Sequence, residues 1–246
     1  MAETSLRNAV VTGAAGGVGR AITRALLDSG RRVVLVDRDA ESLRAFAAEM
    51  GDSTFPIQLD ISDAKAVDRL PDQIPEAFKQ VDILVNNAGH DIGGRTRFDI
   101  GAADDWSSII QTNLIGLMRV TRSILPDMVG RNSGHIVNMS SINAVRIIPD
   151  MAAYSASKAG VHMFTETLRG ELAETAIRVT EMQPGLTRTN IIRTRYRGDR
   201  NKEKDYFDQF KIALDPADVA RAIVFALDQP LHVQIAEMMI LPVNRY

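Results

Sequence analysis

A glycine-rich stretch near the N-terminus, Thr12-Gly13-Ala14-Ala15-Gly16-Gly17-Val18-Gly19, is the most informative part of the sequence. It follows a short β-branched run at residues 8–11 and opens a helix-like segment near 17–29. Glycines let the backbone turn sharply and approach a pyrophosphate, while a helix N-terminus supplies amide donors and a positive dipole end. Any tight turn between a strand and a helix could carry such glycines. Their position after the first strand nevertheless predicts a dinucleotide site.

Short apolar runs alternate with longer helical patterns along the whole chain. Consecutive apolar residues indicate strands that are covered on both faces, and the alternation predicts a parallel, doubly wound sheet. We therefore expect a single-domain α/β Rossmann fold over residues 1–246, with about seven strands and helices on both faces. The predicted strands are 8–11, 32–36, 54–59, 82–85, 135–139, 178–182 and 234–241, and the helical segments lie near 17–29, 40–50, 63–70, 104–129, 152–174 and 216–228.

One long segment, near residues 187–214, has no clear periodicity and is rich in arginine. Loops of this length inside a domain are usually functional or disordered. The segment is predicted to be a substrate lid, and the alternative is a solvated excursion.

The composition excludes several classes of protein. The chain has 246 residues, 45% of them hydrophobic and 24% charged, with a net charge of -2, so no basic field points to nucleic acid or to an anionic membrane. There is no cysteine, and the four histidines lack metal-ligand spacing, so no metal site is expected. The first residues lack a signal-peptide pattern, and no apolar run is long enough to span a bilayer. We expect a cytoplasmic protein that acts on a small molecule.

Tyr154 and Lys158 are four residues apart, which places them on the same face of a helix. A free tyrosine has a pKa near 10, so only about 0.1% is ionised at neutral pH. A cation beside it favours the phenolate, and such a pair can exchange a proton with an alcohol. The alternative is a surface tyrosine next to a surface lysine. The pair is therefore a candidate for acid–base catalysis.

Asp37 stands at the end of the second predicted strand. A carboxylate there can accept hydrogen bonds from the ribose hydroxyls of adenosine and would repel a 2′-phosphate. Arg38 follows directly and could still accommodate that phosphate. The pattern predicts NAD as the cofactor, with NADP as the alternative.

The glycine pattern and the Tyr-x-x-x-Lys pair together resemble the short-chain dehydrogenase/reductase family, from about residue 7 to the C-terminus. Asn86-Asn87-Ala88-Gly89 and the Pro184-Gly185 pair match further motifs of that family in the correct order. Ser141 rather than Ser140 stands thirteen residues before Tyr154, at the position of the family's active serine. The resemblance implies a catalytic set of Asn113, Ser141, Tyr154 and Lys158.

The same resemblance implies the residues that hold the nicotinamide dinucleotide. They lie in the glycine turn, at the ends of the predicted strands and on the helix that carries Tyr154 and Lys158. They are Gly13, Gly17, Val18, Gly19, Asp37, Asp60, Ile61, Asn87, Ala88, Gly89, Tyr154, Lys158, Pro184, Gly185, Thr187 and Thr189.

Within the family, the stretch at 195–199 and the ending at 229–242 are similar to enzymes that oxidise serine and other 3-hydroxy acids. Those relatives generally use NADP and carry basic residues after the second strand, whereas this chain has Asp37-Arg38-Asp39. Guanidinium groups suit a carboxylate, so Arg146, Arg188 and Arg195 are predicted, with Ser141, to contact an acidic substrate. The alternative is a solvated basic loop.

The sequence thus predicts an enzyme that transfers a hydride between NAD and a secondary alcohol or carbonyl compound, with a small hydroxy acid among the candidates. One alternative is an NADP-dependent reductase of an acidic aldehyde or 3-hydroxy acid, and another is a nucleotide sensor without catalysis. Family members form dimers or tetramers through their longest helices, here near 104–129 and 152–174, so a homotetramer or homodimer is expected.

Overall fold

A parallel sheet of seven strands runs through the computed structural model, which describes residues 7–210 and 212–243. Its strand order is β3-β2-β1-β4-β5-β6-β7. The predicted Rossmann architecture is confirmed. The strands are β1 (Asn8–Thr12), β2 (Arg32–Asp37), β3 (Thr54–Gln58), β4 (Ile83–Asn86), β5 (Gly134–Met139), β6 (Ile177–Pro184) and β7 (Glu237–Ile240).

Helices connect the strands and cover both faces of the sheet. They are α1 (Gly17–Asp28), α2 (Ala40–Met50), α3 (Ala64–Asp68), α4 (Leu70–Gln73), α5 (Ala103–Ile110), α6 (Leu117–Arg131), α7 (Ala152–Glu171), α8 (Ile191–Arg195), α9 (Arg200–Asp208) and α10 (Pro216–Leu227). None of the described helices is both long and apolar enough to cross a bilayer.

Two predicted segments differ from the structure. The single helix expected near 104–129 is divided into α5 and α6 by a π-helical turn, Gln111–Gly116, which periodicity does not reveal because the chain continues in a helical direction. The segment 187–214 is not irregular throughout, since it contains α8 and α9. The side chain of Asp199 caps α9 by accepting from the N–H groups of Asn201 and Lys202.

Side chains alternate between two hydrophobic layers, because successive residues of a strand point to opposite faces. Val10 lies in register with Val34 on one neighbouring strand and Leu84 on the other, and all three belong to the core layer that includes Val120 and Ile124 of α6. The opposite layer includes the alternate strand residues together with apolar residues of α1 and α10. Burial on both faces explains the unbroken apolar runs of the sequence.

The strand order reverses beside β1, which pairs with β2 on one side and with β4 on the other. In open parallel sheets the crevice at the carboxyl ends of the strands at this point is where ligands bind. The glycine turn follows β1, and the segment 87–89 follows β4. The topology therefore brings these two motifs together, and it leaves Ser141 just beyond β5 at the same end of the sheet.

Candidate active site

The glycine turn after β1 is packed too closely for larger residues. Gly13 has a φ of +66°, and a Cβ added to it would lie 2.8 Å from the Cα of Ala88. A Cβ on Gly19 would lie 2.1 Å from the carbonyl oxygen of Gly13. The Asn87 side chain donates to the carbonyl oxygens of Thr12 at 2.9 Å and of Gly13 at 3.2 Å. The glycine turn and the Asn-Asn-Ala-Gly segment therefore pack directly against each other.

Helix α1 begins at Gly17 without a side-chain cap, since Gly16 at the N-cap position has no side chain. The amide groups of its first turn are therefore left for a ligand, and the helix dipole favours a negative one. This turn lines a cavity of about 330 Å³ together with Asp37, Arg38 and Asp60. The glycine cradle and the uncapped helix end fit the pyrophosphate of a dinucleotide.

Asp37 does not present an open carboxylate in this cavity. Its Oδ2 accepts from the N–H of Ala15 and its Oδ1 from the N–H of Asp39, both at 3.0 Å. Arg38 is exposed on the same rim. Asp60 lies on the opposite side, where its Oδ1 accepts from the backbone N–H and the hydroxyl of Ser62 at 2.9 and 2.7 Å.

A second cavity of about 540 Å³ adjoins the first and is lined by three of the predicted catalytic residues, Ser141, Tyr154 and Lys158. Both cavities fall in the size range of small-molecule sites. They share part of their lining, so one extended ligand could occupy both. The shared residues are Val18, Asn87, Gly89, Thr189 and Ile191.

Tyr154 and Lys158 lie one turn apart on α7, as their spacing predicts. The Nζ of Lys158 lies 5.8 Å from the centre of the Tyr154 ring and donates to the carbonyl oxygen of Met139 at 2.7 Å. Burial lowers the pKa of Lys158 to about 8. Burial also raises the pKa of Tyr154, as does the Asp91 carboxylate, while a hydrogen bond with Ser141 opposes them. In the structure Tyr154 is therefore a neutral phenol. It lies beside Lys158, whose amine changes between its neutral and charged forms near neutral pH.

The two serines after β5 have different environments. Ser141 lines the second cavity with Tyr154, donates to Oδ1 of Asn143 at 3.3 Å and accepts from the N–H of Asn143 at 3.2 Å. Ser140 instead donates to the carbonyl oxygen of Lys158 at 3.2 Å. Both serines line the cavity, but the hydroxyl of Ser140 is directed to the backbone of α7.

Asn113 lies fully buried within the π-helical turn between α5 and α6. Its Oδ1 accepts from the N–H of His90, and its Nδ2 donates to the carbonyl oxygen of His90, both at 2.9 Å. Nδ2 also donates to the hydroxyl of Ser157 at 3.1 Å. A Cβ on Gly89 would lie 3.0 Å from the Asn113 side chain and 3.7 Å from the Nζ of Lys158. Asn113 therefore joins the loop after β4 to α7, close to the lysine. Single π-helical turns are frequent at functional sites.

The predicted segment after β6 forms another wall of the second cavity. The N–H of Gly185 donates to the carbonyl oxygen of Ile240 at 2.8 Å, and the hydroxyl of Thr187 donates to the carbonyl oxygen of Gly185 at 3.1 Å. Thr189 approaches the glycine turn, since a Cβ on Gly17 would lie 3.8 Å from it. The residues Pro184, Gly185, Thr187 and Thr189 all line the cavity.

The predicted substrate arginines occupy three different environments. Arg195 lines the second cavity, whereas Arg146 and Arg188 are not among the described residues that line it. Arg146 contacts the sulfur of Met239 at 3.8 Å, and the Arg188 guanidinium lies 5.6 Å from the Phe207 ring centre. The structure thus brings one of the three arginines into the cavity that Tyr154 lines.

Sequence reasoning missed the partner of that arginine. Asp91 is 3% exposed, and its Oδ2 accepts from Nε of Arg195 at 2.7 Å and from Nη2 at 2.5 Å. Tyr206 of α9 also lines the cavity, and its ring centre lies 4.8 Å from the Arg195 guanidinium. The one signal for Asp91 is a carboxylate two residues after the Asn-Asn-Ala-Gly motif, where the chain has just left the sheet.

His162, a turn beyond Lys158 on α7, lies away from the second cavity's described lining. Its Nδ1 lies 2.7 Å from Oε2 of the fully buried Glu181, and this contact raises the pKa of His162. This position makes His162 a packed residue and not part of a proton relay from Lys158.

Comparison with known proteins places these features in a family. A family model described as short chain dehydrogenase matches residues 7–200. The NADP-dependent 3-hydroxy acid dehydrogenase YdfG of Escherichia coli (strain K12) is 37% identical over 238 residues, which cover 96% of this chain and 95% of the relative. The closed form of a serine dehydrogenase complexed with NADP+ has a TM-score of 0.94 and 36% identity, covering 97% and 96% of the two chains. The serine dehydrogenase of Escherichia coli has a TM-score of 0.85 and 33% identity, with 97% and 99% coverage.

These comparisons contradict the NAD preference predicted from Asp37. One relative is named NADP-dependent, and one similar structure is complexed with NADP+. The prediction treated the Asp37 carboxylate as unpaired, but each of its oxygens already accepts from a backbone N–H group of the surrounding turns, which reduces its repulsion of a 2′-phosphate. The resemblance inferred from the motifs is confirmed over nearly the whole chain. The chain belongs to the short-chain dehydrogenase family of oxidoreductases.

Proposed function

We propose that this protein is an NADP-dependent dehydrogenase that interconverts a small 3-hydroxy acid and the corresponding carbonyl compound. The observation that carries the proposal is that Ser141, Tyr154 and Lys158 line one cavity, which shares part of its lining with the cavity at the glycine turn. The names of the similar proteins support the 3-hydroxy acid and NADP.

The nucleotide fits the residues at the first cavity. The first turn of α1 would hold the pyrophosphate, and the exposed guanidinium of Arg38 would pair with a 2′-phosphate. Because backbone N–H groups already neutralise part of the Asp37 charge, that carboxylate repels the phosphate less than an unpaired one would. NADP, when bound, supplies or accepts the hydride.

Tyr154 moves the proton. In reduction its neutral hydroxyl donates to the forming alkoxide, and in oxidation its oxygen takes the proton from the substrate alcohol. The raised pKa of Tyr154 keeps the hydroxyl protonated in the ligand-free protein, which is the form that reduction needs. The Lys158 ammonium favours the phenolate during oxidation, because a nearby cation stabilises the charged form.

Ser141 holds the reacting oxygen. Its hydroxyl lines the same cavity as Tyr154 and can turn from Oδ1 of Asn143 to donate to the substrate oxygen. A donor placed where charge develops stabilises the transition state. Asn113 would order the proton path from Lys158 to solvent through the main chain of its π-helical turn, with its own side chain fixed by His90 and Ser157.

Steady-state kinetics with paired substrates and cofactors test the proposal. The rate of oxidation of 3-hydroxybutyrate would be compared with that of 2-butanol, a neutral alcohol, using NADP+ and NAD+ in parallel. We expect kcat/KM to be at least about tenfold higher for the acid than for the neutral alcohol, and at least about tenfold higher with NADP+ than with NAD+. Each tenfold ratio corresponds to about 1.4 kcal/mol of transition-state free energy. Equal values for the acid and the neutral alcohol, or for the two cofactors, would contradict it.

A further inference from the structure

A cluster of one histidine and two carboxylates lies outside both cavities. His162 of α7, Glu181 of β6 and Glu237 of β7 each place one nitrogen or oxygen atom within 4.8 Å of the others. None of the three is among the described lining of the nucleotide cavity or the substrate cavity. No local spacing marks the cluster in the sequence, because its members come from three separate elements. The cluster is therefore distinct from the candidate active site.

The sheet holds the two carboxylates side by side. Glu181 and Glu237 are in register on the neighbouring parallel strands β6 and β7, so their side chains leave the sheet on the same face. Two carboxylates held this close repel each other. Among the described residues, neither forms an ion pair with a lysine or an arginine, since the adjacent Arg169 pairs with Glu166 instead. A protonated His162 balances only one of the two negative charges.

Glu181 indicates a ligand most directly. Its side chain is fully buried, and Oε2 lies 2.7 Å from Nδ1 of His162, which directs the carboxylate into the cluster. Its other oxygen, Oε1, has no hydrogen-bond partner in the described part of the chain. A buried carboxylate oxygen without a partner is costly, and buried charges are normally paired or bound to a metal. Oε1 is therefore available as a ligand atom.

The donor atoms select the class of ion. One imidazole nitrogen and two carboxylate oxygens suit Zn²⁺ and similar divalent transition ions, whereas Mg²⁺ and Ca²⁺ are bound through oxygen alone. Two ligands of a tetrahedral ion at about 2.1 Å are about 3.4 Å apart. The 2.7 Å between Nδ1 and Oε2 would widen by less than about 1 Å as the ion replaces the proton between these atoms. Glu237 is exposed, so its side chain can adjust to complete the set.

We propose that His162, Glu181 and Glu237 bind one divalent transition-metal ion, with Zn²⁺ as the best-fitting member of that class. The ion balances both carboxylates while His162 is neutral, the form in which histidine binds metals. It links α7 to β6 and β7, one turn beyond Lys158 on the same helix, and stabilises their packing. This site goes beyond the proposed function, since hydride transfer does not use it.

Isothermal titration of Zn²⁺ into the EDTA-treated protein tests the site. We expect one ion per chain with a Kd at or below about 10 µM, and weaker binding of Mg²⁺. His162→Gln and Glu237→Gln should each raise the Kd for Zn²⁺ at least about tenfold, because loss of even an outer-shell partner has an effect of about 10–100-fold. Glu237 is exposed, so its replacement should not disturb folding. NADPH binding by fluorescence verifies that each variant is folded.

His232→Gln is the matched control, because it removes an exposed imidazole outside the cluster. Its Kd for Zn²⁺ should equal that of wild type. An ion that binds only the folded state stabilises that state. Zn²⁺ should therefore raise the urea midpoint of wild type and of His232→Gln, and it should not raise the midpoint of His162→Gln or Glu237→Gln.

Four results would overturn the inference. Wild type could lack a site with the expected Kd and stoichiometry, or it could bind Mg²⁺ as tightly as Zn²⁺. His162→Gln and Glu237→Gln could keep their Kd for Zn²⁺ within about tenfold of wild type, or His232→Gln could lose as much affinity as they do. The first two results need no variant, so the inference can fail even if a variant does not fold.

Discussion

Lys158 approaches Tyr154 from one helical turn away, with its Nζ 5.8 Å from the ring centre and hydrogen-bonded to the carbonyl oxygen of Met139. The lysine is therefore placed beside the phenol by the end of β5 as well as by α7. Its position is fixed before any ligand binds. Burying the charged ammonium of Lys158 lowers the free energy of unfolding, and substitution of the lysine can measure this effect.

Replacing Lys158 by Met should stabilise the ligand-free protein at neutral pH while abolishing activity. The fall of the lysine pKa from 10.5 to about 8 corresponds to about 3 kcal/mol against the charged form. The substitution also leaves the Met139 carbonyl oxygen without its donor, which lowers the free energy of unfolding by about 1 kcal/mol. We expect a net gain of about 2 kcal/mol in the free energy of unfolding at pH 7, measured by urea denaturation.

The sign of the pH dependence is specific. The pKa of Lys158 is lower in the folded protein than in the unfolded chain. The free energy of unfolding is therefore highest above the unfolded pKa of 10.5 and decreases as the pH falls through about 8. The advantage of Lys158→Met should therefore grow as the pH is lowered from 10.5 to below 8 and then stay constant. An advantage that is the same at pH 10.5 and pH 7 would refute the burial argument.

Replacing Arg38 by Ala should separate the two cofactors. Arg38 is exposed at the rim of the nucleotide cavity, where only a 2′-phosphate would need it. We expect the Kd for NADPH to rise about tenfold or more and the Kd for NADH to change less than about twofold. Fluorescence titration measures both constants. Arg44→Ala on α2 is the control, since it removes an exposed arginine outside the described lining of that cavity, and an equal loss there would point to a general charge effect.

Replacing Ser141 by Ala should lower kcat about 10²–10³-fold, the usual effect of removing one donor from a developing oxyanion. Ser140→Ala, one residue earlier, removes a hydroxyl that also belongs to the cavity lining but donates to the carbonyl oxygen of Lys158. Its effect on kcat should be below about tenfold, as expected for a neutral hydrogen bond outside the reacting centre. Similar losses in the two variants, measured by steady-state kinetics, would show that Ser141 has no special role.

Local patterns in the sequence predicted the architecture well. The glycine turn, the apolar strands and the Tyr154–Lys158 spacing each depend on neighbouring residues, whose chemistry restricts the backbone in the same way wherever the chain folds. The order of the motifs then predicted which of them meet, because the carboxyl ends of parallel strands share one edge.

Contacts between distant segments were not predictable. Asp91 and Arg195 are 104 positions apart, and their contact depends on how α8 packs against the loop after β4. Composition likewise does not distinguish Arg195 from Arg188, although the first is buried in the cavity and the second lies over Phe207. The Asp37 error has the same origin. A carboxylate at a strand end can bind a ribose or its own turn, and the choice depends on backbone N–H groups that no pattern locates.

In the proposed reaction Tyr154 carries the proton of a nicotinamide-dependent oxidoreductase. The most direct test replaces Tyr154 by Phe and measures NADPH binding and 3-hydroxy acid oxidation in the same preparation. Loss of the hydroxyl should reduce kcat at least about 10³-fold, within the usual contribution of general acid–base catalysis, while the Kd for NADPH changes less than about threefold. A variant that binds NADPH normally and retains more than about a tenth of wild-type kcat would contradict the account.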